Sequence, residues 1–81
     1  MHRYTVVLVP DEARGLFVAY VPAIPDCVTQ GKSVEEALAM AADLAAIQLA
    51  DLAEHGEELP TEAPGAVVAS VEVKVPALAP A

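Results

Sequence analysis

The sequence is poor in the residues that most often carry chemistry. Its 81 residues include one cysteine, two histidines, no tryptophan, two tyrosines and one phenylalanine. A single thiol cannot close an internal disulfide, so nothing points to the cross-linked scaffold of a small secreted domain. Cations are equally scarce, with four Lys and Arg against twelve Asp and Glu, a formal charge of −8. Four dispersed cations make no patch for a phosphate backbone and the acidic field opposes one, so direct nucleic-acid binding is not expected. Long apolar runs are missing too. None approaches the ~20 residues of a bilayer span. The opening MHRYTVVLVPDEARG has neither the length nor the cleavage pattern of a signal peptide. A cytoplasmic protein that does not enter membranes is the expectation.

The same scarcity bears on catalysis. A nucleophilic Cys27 would need a base or a cation beside it, yet His2 stands at the start of the chain and His55 far along it. Cysteine otherwise behaves as a small buried residue, and Cys27 is expected to pack rather than react. The pairs Asp11–Glu12 and Glu57–Glu58 read as solvated loop carboxylates, and no His or Cys spacing resembles a zinc site. There is no glycine-rich phosphate loop. No catalytic, metal or cofactor-binding residue is therefore assigned, and no cofactor is expected.

What the chain has in quantity is alanine, 17 residues within a hydrophobic fraction of 56%. Alanine buries little area, so the core must rest on a few Val, Leu, Ile, Phe and Tyr side chains. At about 25 cal/mol per Å² of apolar surface buried, such a monomer is marginal, and association with another copy is the natural remedy. A homo-oligomer, dimer or tetramer, is expected. The acidity suits solubility and also suits a basic protein partner.

Along the chain, RYTVVLV (3–9) reads as a strand, PDEARG as a turn and LFVAYV (16–21) as a second strand, an antiparallel hairpin. Pro22 and Pro25 break the ladder and make PAIP an extended connection or bend. CVTQ (27–30) makes a short third strand. Ser33 and Glu36 form a capping box, with Glu35 and Glu36 at the positive end of a helix from Val34 to about Glu54. Val34, Ala37, Leu38, Ala41, Leu44, Ala45, Leu49 and Leu52 share one face of that helix; Glu35, Glu36, Asp43 and Glu54 lie opposite. Gln48 points into the apolar stripe, where it is either partnered or near the stripe's end. Met40 and Ile47 form a second apolar shoulder, covered either by a neighbouring loop or by another subunit, and they are the candidate subunit contact. His55 and Gly56 end the helix. AVVASVEVKV (66–75) alternates cleanly and reads as a final strand. The fold class is thus α+β in the order β-β-β-α-β: a three-strand antiparallel meander, one long helix and a final strand. It makes a single domain over 1–81, with a folded core of about 3–75 and a tail at 76–81. One helix protects one face of the sheet, and the two-sided apolar TVVLV calls for a second subunit on the other.

The block YTVVLVPDEARGLFVAYVPAIPDCVTQGKSVEEALAMAADL resembles the N-terminal domain of HicB-type antitoxins and the small HicB-like proteins related to them. The matching positions are Tyr20, Pro22, Pro25, Cys27, Thr29, Gly31, Ser33, Glu35, Glu36 and Ala37, with Asp26 where the family usually has glycine. The resemblance covers roughly residues 3–54. It implies a partial RNase H-like fold without nuclease activity, since YTVVLV carries none of the clustered acids that two-metal chemistry needs. It further implies a partner, a small basic mRNA-cleaving toxin of HicA type whose catalytic histidine the antitoxin masks. Six residues follow Val75, so the family's C-terminal DNA-binding domain, and with it operator binding, is not expected. The alternative function is a stand-alone homo-oligomeric scaffold for another protein or a small ligand.

Overall fold

The computed structural model describes residues 2–62, 65 and 67–76. Its elements are β1 (Val7–Asp11), β2 (Leu16–Tyr20), β3 (Val28–Gly31) and α1 (Val34–Glu54). The strands form one antiparallel sheet in the order β1-β2-β3, the expected meander. The first hairpin closes from Asp11 opposite Leu16 to Val7 opposite Tyr20. Its turn is pinned by Arg14, whose backbone N–H donates to Asp11 Oδ1 (3.2 Å) and whose Nε donates to Oδ2 (2.7 Å). That guanidinium hydrogen bond, before any other cause, holds the Asp11 carboxyl below its ordinary value. Gly15 leaves the turn at φ +66°, a conformation that residues with a Cβ resist.

β1 begins at Val7 rather than Arg3. Its partner strand stops at Tyr20, and the next backbone N–H, that of Val21, donates to the Cys27 carbonyl (3.0 Å), toward β3. The chain before Val7 therefore finds no continuing ladder on β2. Pro10 is accommodated because β1 lies at the edge of the sheet, where a missing N–H costs least.

α1 is bounded as its sequence signals. Ser33 takes an extended conformation (φ −140°, ψ 166°) and its Oγ accepts from the Glu36 N–H at 3.0 Å. Glu36 returns a bond, accepting from the backbone N–H of Lys32 (3.2 Å), one residue earlier than the usual box. At the other end Gly56 turns at φ +69°. The Gly56 N–H donates to Ala53 O (3.1 Å) and the Glu57 N–H to Leu52 O (2.9 Å), the paired bonds of a Schellman stop.

The core lies between α1 and one face of the sheet, and it is built from small groups. Leu8, Ala19 and Thr29 are cross-strand neighbours, as are Phe17 and Gly31, so these residues share the helix-facing side. Ala19, Ala37 and Ala41 are essentially inaccessible, with Leu44, Ala45 and Leu49 packed partly against them. The close approach comes from Gly31: a Cβ built there would lie 2.8 Å from both Ala37 Cα and the Glu36 carbonyl carbon. α1 thereby settles over β3 and β2. Val34 and Leu38, expected in the buried stripe, stay half-exposed; Leu38 lies on the flank of the helix that β2 and β3 do not cover.

The final strand expected over 66–75 is not a member of this sheet. Ala66 lies outside the described residues, and 67–76 carry no ladder partner. Val67, Val68, Val71, Val73 and Val75 are 71–86% exposed. Alternation supplies an apolar face and β propensity, but a strand exists through its ladder, and nothing in the described chain pairs with this one. Of the tail expected at 76–81, residues 77–81 lie outside the described residues.

Candidate interaction surface

PAIP, expected as an extended connection or a bend, bends within a closed buckle, VPAIPDC. Val21 N–H donates to Cys27 O (3.0 Å), Ile24 N–H to Val21 O (3.1 Å) and Cys27 N–H to Ile24 O (3.3 Å). This ring of bonds turns Val21, Ile24 and Cys27 inward, all buried, while Pro22 and Pro25 face solvent. Asp26 sits at φ +58°, the left-handed conformation that glycine would supply and that Asp tolerates better than most residues. Gln48, in the helix stripe, is partnered: its Nε2 reaches the carbonyls of Pro25 (3.4 Å) and Asp26 (3.5 Å) and ties α1 to the buckle.

Cys27 is 3% exposed, and burial pushes its thiol up from the ordinary value. It carries the closing bond of the buckle through its backbone, not through sulfur. Native protein at pH 8 is expected to react with iodoacetamide at least ~100-fold more slowly than protein in urea, because the buried sulfur is reached only when the buckle opens. Rapid labelling of the folded chain, followed by mass spectrometry, would contradict this placement.

The remaining signature residues fall into a path rather than a pocket. Tyr20 ends β2 on the face away from α1, Thr29 lies in β3, and Gly31, Ser33, Glu35, Glu36 and Ala37 make the β3–α1 junction. Of these, Gly31 and Ala37 meet at the close approach of β3 and α1, and Ser33 and Glu36 cap the helix.

Two exposed surfaces carry apolar side chains instead. On the outer side of α1, Glu36, Met40, Asp43, Ile47, Asp51 and Glu54 follow one another at three- or four-residue intervals and so share a face. All are exposed, Ile47 at 67%. Reading Met40 and Ile47 apart from the carboxylates opposite the buried stripe missed this combined strip; the spacing that reveals it was present in the sequence. On the sheet, Val7 is paired with Tyr20 and Tyr20 with Val28 on the side away from α1, and Val9 lies on that same side. Val9, Tyr20 and Val28 are each more than 40% exposed. Among the described residues there is no cluster of three or more metal-ligating side chains, and no helix is long and apolar enough to cross a membrane.

No family model matches the chain. Similarity to individual proteins is more informative. A UPF0150 protein of Thermoplasma acidophilum is 38% identical over 60 residues, covering 74% of this chain and 86% of that protein. The chain belongs to the UPF0150 family of HicB-like proteins. A second relative, antitoxin HicB 1 of Photorhabdus laumondii subsp. laumondii, is 42% identical over 62 residues. That match takes in 76% of this HicB-like chain but 39% of the antitoxin, so the chain spans well under half of that relative's length. The share of this chain matched in each case is larger than the 34 residues from Val21 to Glu54, so the likeness extends beyond the buckle and helix.

Proposed function

We propose that this chain acts as a HicB-like antitoxin: it has no enzymatic activity of its own, and it binds a small basic mRNA-cleaving toxin of HicA type and masks that toxin's active site. The observation that carries this reading is the 42% identity to an antitoxin over a segment that accounts for 76% of the chain. The charge of −8 supports it, since an acidic surface competes with RNA for a basic one and speeds the encounter. The α1 strip adds a surface of the right chemistry. Its four carboxylates match Lys and Arg at a rim, while Met40 and Ile47 offer the apolar anchors on which interface affinity depends. Self-association in the cytoplasm completes the reading.

Co-expression with the toxin-like reading frame nearest its gene tests the assignment. A stable complex and relief of growth arrest are expected, with an Asp43→Lys/Asp51→Lys double variant binding at least ~10-fold more weakly. Persistent toxicity with no complex would overturn the antitoxin reading and favour a stand-alone scaffold.

A further inference from the structure

We propose that the segment 67–75 is exchanged between two copies of this chain, each arm joining its partner's sheet as a strand beside β1. The inference rests on the self-association part of the functional reading and is independent of any toxin.

The arm has the sequence of a strand with one buried face. Val67, Ala69, Val71, Val73 and Val75 alternate with Val68, Ser70, Glu72 and Lys74, so one side is wholly apolar and the other mostly polar. Its valines are nevertheless 71–86% exposed. A contiguous apolar surface of this kind marks an interaction site in a soluble chain.

The body of the molecule carries the complementary slot. Among the described residues β1 is paired on one side only, with β2, and no strand lies on its outer edge. Because α1 lies over β3 and β2, the β1 side of the helix is bare. A groove of about 440 Å³ opens there, lined by Tyr4, Val6, Leu38, Ala45 and Leu49 among others. A strand laid along the β1 edge would present alternate side chains to this groove and hydrogen-bond its backbone to β1. At β3, the other end of the sheet, α1 already lies over the helix-facing side, where Gly31 meets Ala37.

Connectivity brings the arm to the slot. The Tyr4 hydroxyl donates to the Pro60 carbonyl (2.5 Å), and the Thr5 N–H donates to the Glu62 carboxylate. The chain thus arrives beside the start of β1, three residues before Gly65, which stands at φ +77°. From there it leaves the body. The molecule measures 53 × 27 × 26 Å with a radius of gyration of 16.4 Å, against about 12 Å for a compact chain of this length. A strand held clear of its own slot, next to the hinge that could have folded it back, is half of an exchanged pair. Two slots and two arms related by a two-fold axis satisfy each other and close the assembly.

The test uses the full chain. Light scattering is expected to give the dimer mass, and Val71→Glu/Val73→Glu to give a monomer that keeps its helical circular dichroism, since Val71 and Val73 are 83% and 74% exposed and residues 67–76 join no strand or helix of their own chain. A dimer refolded from mixed isotope-labelled and unlabelled chains is expected to show isotope-filtered NOEs from the arm valine methyls of one copy to Tyr4 and Leu8 of the other. A monomeric wild type would overturn both the exchange and the self-association reading. A dimer whose arm contacts are all within one chain, or which persists in the double-Glu variant, would overturn the exchange alone. Toxin capture stands or falls separately, in the co-expression assay.

Discussion

Gly31→Ala is expected to cost about 3 kcal/mol or more and to lower the melting temperature by more than ~10 °C. The reason is steric and not conformational. Gly31 lies in β3 without a left-handed φ, so its backbone is open to any residue. What excludes a side chain is the first turn of α1: a methyl group at this position would meet Ala37 Cα and the Glu36 carbonyl carbon at 2.8 Å, and the Ala37 nitrogen closer still. These are backbone atoms and cannot swing aside. Relief requires α1 to lift from β3, which would loosen Ala37 and Ala41, two of the few fully buried groups. The cap would suffer too, because Ser33 and Lys32 stand between Gly31 and the helix. Gly15→Ala is the control. It sits at φ +66° with nothing within 4 Å of an added methyl, so it carries conformational strain of about 1 kcal/mol but no clash. Thermal unfolding followed by circular dichroism distinguishes the two. A Gly31→Ala protein that melts with the Gly15→Ala control would show that the strand and helix do not approach this closely.

Gly31 also shows which parts of the molecule can be read from sequence. The hairpin was legible because PDEARG holds a proline that cannot donate to a ladder and a glycine for positive φ. The helix was legible because its stops are local: Ser33 three residues before Glu36, and Gly56 just beyond the last turn. Non-local features were less so. The start of β1 depends on where β2 stops pairing, and that is decided by Val21 turning to Cys27. Leu38 matches the buried stripe in period, yet its burial depends on how far across the sheet the helix lies. The alternation at 66–75 carried the right local character and could not supply a partner, because an edge is found elsewhere in the fold or on another chain. The same division holds for the contact surface. Met40 and Ile47 were visible at their seven-residue separation, but their exposure between Glu36 and Asp51 emerged only once the opposite face was seen to be the seated one. Asp26 is the reverse case: it stands where the family usually has glycine, and at φ +58° it keeps the left-handed conformation a glycine would supply.

Ile24→Ala is expected to destabilise the fold by about 2–5 kcal/mol, a large part of the roughly 4–12 kcal/mol available to a chain of this size. The sequence offers little warning, since Ile24 lies between two prolines in a stretch that reads as connector. In the structure it is 2% exposed and sits in the core with Val21 and Cys27. Its N–H and carbonyl are both used by the buckle, the first toward Val21 and the second from Cys27. Truncating the side chain therefore leaves a void within a ring of backbone bonds. Pro22 and Pro25 have fixed φ and cannot easily let the loop collapse inward, so the cost should fall toward the upper part of the range. Ile24→Val removes one methylene and keeps the β-branch, and about 0.5–1.5 kcal/mol is expected from it. Urea unfolding of the two variants measures the difference, and Cys27 provides a second readout in the same experiment. If Ile24 holds the buckle shut, alkylation of the native thiol should accelerate in Ile24→Ala in proportion to the loss of stability, and little in Ile24→Val. An Ile24→Ala variant with near wild-type urea midpoint and an unchanged alkylation rate would mean that the prolines alone shape the loop and that its apolar residue contributes nothing to the core.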